Sequence, residues 1–203
     1  DNPHIHNLHG DSMNHPLLLT YLSDSEIPVV WPLHDCWSFT GHCTYFSFIG
    51  CDRWRTGCFS CPQKKKYPGS LYVDRSYKNY IDKRTNFNLL NNLTLVPVSN
   101  WLKELVKDSF LSKHAIQRIY NGVDTMTFSI DKQAAWAVRE RYSLQDKIIL
   151  LGVATAWEDR KGLTDFIKLS KSLPGNFKIV LVGLSLSQLK QLPIQILGLP
   201  RTE

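Results

Sequence analysis

The residues best suited to chemistry in this sequence are concentrated between positions 29 and 62. All five cysteines lie there, with the spacing Cys36-x6-Cys43-x7-Cys51-x6-Cys58-x2-Cys61. A Cys-x2-Cys pair followed by proline is typical of a metal knuckle, because a tight turn points both thiolates at one ion. The sequence therefore predicts a structural zinc site, with Cys36 as the spare thiol and four ligands: Cys43, Cys51, Cys58 and Cys61.

Other arrangements of these cysteines stay open at the level of sequence. An odd number fits poorly with a disulfide framework, and the N-terminal segment lacks the basic and apolar regions of a signal peptide. Unligated thiols are a further arrangement, and either Cys36 or His42 is a candidate to replace Cys43. A catalytic zinc is disfavoured, since four thiolates leave no open coordination position. We expect the ion to hold a loop whose own apolar content is too small to fold it.

A histidine and a carboxylate, His34 and Asp35, directly follow the apolar segment 27–33, which predicts a strand. In open α/β sheets ligands bind at the carboxyl ends of strands, and this favours a functional role for His34. The alternative is a core histidine held by Asp35.

The elements that must position these residues alternate between strand and helix. Lys161 and Gly162 fall where a loop enters a predicted helix, whose N-terminus offers N–H groups and positive potential to a phosphate. The alternation makes a parallel α/β sheet the best architecture. Hydrophobic periodicity predicts helices at 17–22, 78–90, 101–106, 131–142, 163–173 and 185–192, and strands at 3–10 (ending near Gly10), 27–33, 93–98, 116–120, 148–153, 177–182 and from 194 onward.

The amino-acid composition indicates the general class of protein. The 203 residues are 43% hydrophobic and 21% charged, as in ordinary globular proteins. The formal charge of +6 favours acidic partners such as phosphates, nucleic acid or an anionic membrane surface. Apart from Lys64, Lys65 and Lys66 this charge is scattered, which is typical of a solvated surface. The longest nearly apolar run, 148–157, is about half of a membrane span.

Four segments together carry a family resemblance: PVVWPLHDCWSFTGHC (28–43), GCFSCPQK (57–64), IYNGVD (119–124) and RKGL (160–163). The first is specific, whereas the last two are weak when taken singly. With them the sequence resembles a bacterial retaining glycosyltransferase of the GT-B fold, family 4, in the branch of capsule, exopolysaccharide and lipopolysaccharide assembly.

The resemblance implies two incomplete Rossmann-like domains. The first, 1–125, is the acceptor side and carries the cysteine-rich loop 36–62 as an insertion. A crossover at 126–145 leads to the second, 146–203, which binds the nucleotide-sugar. The motif at the crossover matches Asn121, Gly122 and Asp124, which are therefore expected to act between the domains.

The resemblance also implies the roles of individual side chains. His34, with Asp35 beside it, matches the catalytic histidine that contacts the donor sugar next to the reacting carbon. Lys161 matches the lysine that neutralises the departing diphosphate, where negative charge develops. Further donor-binding positions, together with Lys161, are Gly152, Arg160 and Gly162. Basic side chains and a helix N-terminus replace the divalent metal of other transferases, so no catalytic metal is expected.

The implied reaction moves a hexose from a UDP- or GDP-linked donor to a glycan or lipid-linked glycan acceptor. The implied location is the cytoplasm, with peripheral contact at the inner face of the cell membrane. Three departures predict an inactive fragment. The family's phosphate-binding arginine falls on Ala156, an acidic Glu-x7-Glu motif would lie beyond Glu203, and a glycine-rich loop would precede Asp1.

Two alternatives belong to other classes. A zinc-stapled nucleic-acid-binding module is suggested by the lysine cluster and nearby aromatic residues: Trp37, Phe39, Tyr45, Phe46 and Trp54. The layered alternation of strands and helices argues against it, so no nucleic acid is expected as a partner. A sugar-nucleotide epimerase or a phosphorylase is the other, although a cysteine-rich loop after the His-Asp strand is not expected in those families.

Overall fold

The computed structural model describes residues 3–9, 13–66, 68–70 and 72–201. The chain divides into two compact units, 1–123 and 124–203. Residues 126–145, the predicted crossover, fall within the second unit. Gly10, the predicted end of the first strand, lies outside the described residues, as do the last two positions of the chain.

The first unit is built on a parallel sheet of three strands in the order β1 (Val29–Leu33), β2 (Leu93–Pro97) and β3 (Ala115–Ile116). The N-terminal segment extends β1 on its other side, since the Ile5 N–H donates to the Val30 carbonyl at 2.9 Å. The prediction of a longer third strand at 116–120 is wrong in extent. Ladder hydrogen bonds do continue, from the Gln117 N–H to the Leu95 carbonyl and from the Ile119 N–H to the Pro97 carbonyl.

Three helices accompany this sheet: α1 (His15–Asp24), α2 (Ser76–Phe87) and α3 (Asn100–Lys107). Ser99 caps α3 as predicted, because its hydroxyl accepts the Leu102 N–H at 3.1 Å. Inward-facing side chains of the strands and helices form one apolar core, in which Trp31 packs edge-on against Phe87 with ring centroids 4.8 Å apart. This core fixes the end of β1, where His34 begins the cysteine-rich loop.

The second unit has its own parallel sheet, in the order β4 (Ile148–Val153), β5 (Phe177–Leu184) and β6 (Ile196–Pro200). Its helices are α4 (Lys132–Arg141), α5 (Leu163–Ser170) and α6 (Leu186–Leu189). The Asp131 carboxylate caps α4, and Ser185 with Gln188 forms a capping box at α6. Helices α5 and α6 both end three residues earlier than predicted. Pro174 and Pro193 follow these ends closely, and a proline disfavours helical backbone in the residue before it.

The prediction of an α/β fold with parallel sheets is confirmed in both units. Across the part of the chain that the structure describes, no helix has both the length and the apolar character to span a membrane.

Candidate functional site

The cysteine-rich loop leaves β1, and the described residues between it and α2 form no strand. Its backbone makes three single turns of 3-10 helix, Trp37–Phe39, Ser47–Ile49 and Arg53–Arg55. Three aromatic rings hold these turns together: Trp54 lies 5.3 Å from Phe39 and 5.0 Å from Phe46 between centroids. The loop therefore has a small apolar centre of its own, continuous with the core of the first unit.

Four of the five cysteines line one small cavity of about 10 Å³ in this loop. They are the four predicted ligands, Cys43, Cys51, Cys58 and Cys61, and all are free thiols. Cys36 is also a free, buried thiol, but it does not line the cavity. Among the described residues, no three His, Cys, Asp or Glu side chains already stand as a formed metal site. The four predicted ligands do line one cavity, and zinc binding by them stays a prediction.

The thiols of Cys43 and Cys61 hydrogen-bond to each other, which raises the pKa of Cys43 and lowers that of Cys61. Burial raises the pKa of Cys58 to about 11, while the Gly41 N–H donates to it and opposes the shift. Burial raises the pKa of Cys36 to about 12. Cys61 is thus the thiol that ionises most readily in this group.

The turn from Cys58 to Cys61 is held in an uncommon conformation. Cys58 and Ser60 both have left-handed backbones, with φ of 50° and 47°. The Arg53 carbonyl accepts the Cys58 N–H at 2.9 Å, and the Asp74 carboxylate accepts the Cys61 N–H at 2.6 Å. The Arg53 guanidinium in turn donates to the carbonyls of Phe59 and Ser60. Strain of this kind persists only where several contacts fix it.

A buried cation, Lys83 of α2, ties the start of the loop to the helix. Its ammonium donates to the Trp37 carbonyl at 2.6 Å and the Thr40 carbonyl at 2.9 Å, and it lies 3.3 Å from the centroid of the Trp37 ring. The residue is only 8% exposed, and burial lowers the pKa of Lys83 well below its usual range. No sequence signal marked Lys83, since lysines are rarely buried.

His34 is exposed at the carboxyl end of β1, as predicted. Its ring stacks on His6, with centroids 5.9 Å apart and planes 19° from parallel. The Asp35 carboxylate instead accepts the Trp37 N–H at 2.8 Å and lies 3.3 Å from Nε2 of His9. His6 and His9 therefore also lie at this end of the sheet. The Asp35 carboxylate hydrogen-bonds to the loop backbone.

Asn121 and Gly122 are exposed at the end of the first unit. Asp124 opens the second unit, where its carboxylate accepts the N–H groups of Met126 and Thr127 and the Thr127 hydroxyl at 2.6 Å. The hydrogen bonds to Thr127 and Met126 hold the pKa of Asp124 below its usual range. Asp124 thus begins a local turn.

The loop after β4 carries the other predicted donor residues. Arg160 and the exposed Lys161 lie in a 3-10 turn, Asp159–Lys161, which ends at Gly162. Gly162 has φ of 77° and is the residue before α5, which has no side-chain cap. The first N–H groups of α5 therefore lie beside Lys161, as the phosphate-site prediction requires.

Gly152, a predicted donor-binding residue, is buried in β4, where it serves packing. A Cβ there would lie 2.7 Å from the Trp157 ring and 2.8 Å from Leu181. The absence of a side chain lets Trp157 fold over the strand, where its indole donates to the Val182 carbonyl at 2.9 Å. Ala156, at the position of the family's arginine, is exposed in the same loop.

The structure thus brings the predicted residues together in separate groups. The four cysteines form one group, and His34 with Asp35 forms a second in the same unit. Arg160, Lys161 and Gly162 form a third in the other unit.

The aromatic residues that suggested nucleic-acid binding are mostly unavailable for stacking on bases. Four of the five are buried in the core of the first unit, and only Tyr45 is exposed. Single-strand binding relies on exposed rings beside a basic groove. The structure therefore gives this alternative no support.

Comparison with known proteins gives one informative similarity. No protein-family model matches the sequence. Over 135 residues the chain is 32% identical to a protein of Escherichia coli (strain K12) provisionally named colanic acid biosynthesis glycosyl transferase WcaC. The alignment covers 63% of this chain and 32% of that protein. The chain therefore spans about a third of a curated relative whose name places it among the glycosyl transferases of colanic acid biosynthesis.

Proposed function

We propose that this chain is part of a family 4, GT-B glycosyltransferase that moves a hexose from a nucleotide-sugar donor onto a growing, lipid-linked surface polysaccharide with retention of configuration. The observation that carries the proposal is the 32% identity over 135 residues to a protein named as a glycosyl transferase. Two parallel α/β units, one with His34 and one with Lys161 in loops after their strands, are consistent with it.

The second unit would hold the donor diphosphate. Lys161 is exposed beside the uncapped N-terminus of α5, and Arg160 is its neighbour. The helix N-terminus and a fixed ammonium both stabilise negative charge, which grows on the diphosphate as the sugar bond breaks. Gly162 keeps the backbone left-handed, so that the turn can deliver Lys161 to the helix start. Basic groups thus supply the charge stabilisation that a divalent metal supplies elsewhere.

The first unit would supply the histidine at the reacting sugar. His34 is exposed at the end of β1, and its ring is oriented by stacking on His6. Asp35 acts as a positioning residue, because its carboxylate fixes the Trp37 N–H at the start of the loop. The connection between the two domains would run through Asn121, Gly122 and Asp124.

The acceptor would bind on the first unit, which contains a groove of about 530 Å³. This volume lies in the range of small-molecule sites. Its lining includes amide and carboxylate side chains of α2, namely Asn79, Asp82 and Asn86. Such groups suit a sugar, because they can hydrogen-bond to its hydroxyl groups. The lipid carrier of the acceptor would bring the basic protein to the cytoplasmic face of the membrane.

Donor binding by the full chain tests the proposal. Titration calorimetry with UDP, GDP and their hexose conjugates is expected to find one nucleotide class that binds. Lys161→Ala should weaken it about tenfold or more, because a direct charge on the diphosphate is lost. The matched control is Lys168→Ala, another exposed lysine on α5, which should change affinity less than twofold.

Two outcomes would contradict the proposal. One is the absence of any nucleotide-sugar binding, and the other is an equal effect of the two lysine substitutions. Salt-dependent binding of single-stranded nucleic acid in the same titrations would instead favour the nucleic-acid module.

A further inference from the structure

The cysteine-rich loop has features that transfer of a sugar does not explain. Four thiols from separate parts of the loop line one cavity of about 10 Å³, together with side chains such as Phe46, Arg53 and Trp54. This volume is close to the smallest that admits a single water molecule. A void of that size suits one metal ion and no organic ligand. From this convergence we propose that Cys43, Cys51, Cys58 and Cys61 bind one structural zinc ion.

The backbone around two of these sulfurs is already arranged for thiolates. The Gly41 N–H donates to the sulfur of Cys58, and the Gln63 N–H donates to the sulfur of Cys61. Hydrogen bonds to the charged form stabilise a thiolate, and such outer contacts orient metal ligands. The donor to Cys61 is local in sequence, since Gln63 follows it by two residues, whereas Gly41 approaches Cys58 from an earlier part of the loop. Both sulfurs therefore already accept a backbone N–H.

Space for close approach is also provided at Gly41. A Cβ at this position would lie 2.0 Å from the Ser76 carbonyl oxygen and 2.7 Å from Cβ of Cys58. Only glycine lets the chain pass between α2 and Cys58 closely enough for its N–H to reach the sulfur. The glycine therefore serves the sulfur group, a role the sequence alone did not reveal.

Two cations balance the charge that this site would carry. Zinc with four thiolates has a net charge of about −2, which is costly to bury without compensation. Lys83 is buried in the first unit, where its ammonium donates to two carbonyls and lies over one ring. Burial lowers the pKa of Lys83, while the charges of Cys58, Asp35 and Cys43 oppose that shift. Arg53 lines the cavity and favours the thiolate of Cys61. A thiolate cluster would therefore add to the negative charge that Asp35 already provides for Lys83.

The thiols must move only locally to bind the ion. At present Cys43 and Cys61 share an S–H···S hydrogen bond, and the ion would replace it with two Zn–S bonds of about 2.3 Å. The competing ligand set replaces Cys43 with His42, whose buried Nε2 atom has no hydrogen-bond partner. His42 lines both this cavity and the larger groove, whereas Cys43 lines this cavity and contacts Cys61. Those contacts favour Cys43.

The first experiment measures zinc and thiol protection on the full chain purified without added metal. We expect about one zinc per chain by elemental analysis. Four of the five thiols should react with an alkylating reagent at least tenfold faster after a strong chelator is added, whereas Cys36, which is buried away from the cavity, should show no such change. Less than a tenth of a zinc per chain, together with no change in alkylation, would overturn the proposal. This measurement requires no variant to fold.

Variants then test the ligand set. Cys58→Ser and Cys43→Ser should each lower zinc affinity at least tenfold, whereas Cys36→Ser, the matched control outside the cavity, should retain about one zinc per chain. His42→Gln should also retain it. Loss of zinc in His42→Gln with retention in Cys43→Ser would overturn the four-cysteine set. Loss in Cys36→Ser together with increased alkylation of all the other thiols would overturn the distinction between Cys36 and the ligands.

Discussion

The two units of this chain each contain a parallel sheet of three strands, but their cores differ greatly in extent. In the first, a large set of side chains from the sheet, three helices and the cysteine-rich loop is buried in one cluster. In the second, the buried cluster consists of Trp157, Ile179, Leu181, Leu184 and Ile196. Apolar strand residues of the second sheet stay exposed, such as Leu151 at 62%, and α4 buries none of its residues.

This difference indicates which contacts stabilise each unit. A parallel sheet normally has both faces covered, and in the first unit the loop and helices supply much of that cover. The second unit depends on fewer contacts, and two glycines make its close packing feasible. The exposed donor residues therefore stand on the less consolidated unit, and substitutions there should expose the contrast most strongly.

The largest effect is expected from Gly183→Ala in β5. Gly183 has φ of 93°, and a Cβ would lie 1.8 Å from the Ala154 carbonyl oxygen. Backbone strain and this clash should cost more than about 4 kcal/mol and unfold the second sheet. Hydrogen-exchange mass spectrometry should show lost protection in β4 and β5 peptides. The control Gly175→Ala, where a Cβ meets nothing, should leave protection unchanged. Native protection in Gly183→Ala would refute the close approach.

Matched truncations in the two cores should have the next largest effects. Leu95 and Leu181 are both fully buried leucines on the central strand of their sheets. Leu95→Ala is expected to cost about 4 kcal/mol, and Leu181→Ala about 3 kcal/mol because its smaller surroundings can collapse more easily. Urea unfolding monitored by exchange in each unit measures both costs. A greater loss for Leu181→Ala would reverse the ranking of the two cores.

Lys83→Met should destabilise the first unit by about 2 kcal/mol. The substitution keeps the apolar stem but leaves the buried carbonyls of Trp37 and Thr40 without their donor. The matched control is Lys78→Met on the same helix, where the lysine is exposed and pairs with Asp82 across one helical turn; its expected cost is below about 0.5 kcal/mol. Equal costs would show that the burial of Lys83 contributes nothing. Thermal unfolding of both variants provides the comparison.

The smallest expected effect is a pH dependence confined to the first unit. Burial lowers the pKa of His114 to about 4, and its Nε2 lies 3.1 Å from the Asn88 side-chain oxygen. Because the unfolded chain binds this proton near pH 6.5 and the folded one does not, the stability contribution is complete above pH 6.5. It declines as the pH falls towards 4, and the loss reaches about 1 kcal/mol at about pH 5.7. The difference in unfolding free energy between wild type and His114→Gln should follow this curve, and a flat difference would exclude the histidine.

Much of the fold could be predicted from sequence, because strands and helices here obey strong local rules. The apolar runs at β1, β2, β4 and β5 were predicted on that basis. The short length of β3, two residues, was not predicted, because the chain after it still makes sheet-like hydrogen bonds without a full ladder. Propensity cannot distinguish these two situations.

The candidate site was less accessible to prediction, for a physical reason. Cysteine spacing shows which thiols are candidates, but their convergence depends on three 3-10 turns and an aromatic centre that only tertiary packing creates. The donor-binding role that the resemblance implies for Gly152 stays a prediction, and its packing against Trp157 could not be predicted from local sequence. Lys83 is the strongest example, since a lysine in a helix predicts exposure until the groups around it are known.

The long connection inside the first sheet also has a consequence for the kinetics of folding. Val29 of β1 pairs with Leu93, whereas Ile148 of β4 pairs with Phe177, so the first sheet closes a loop more than twice as long. Each doubling of loop length adds about 0.6 kcal/mol of closure entropy, and non-local pairing slows the crossing of the barrier. During synthesis β1 stays unpaired until the whole cysteine-rich loop and α2 have been made and its partner strand follows. If the loop condenses early around its own aromatic centre, β1 stays unpaired for a shorter time. The unpaired edge of the strand is then also shielded from other chains.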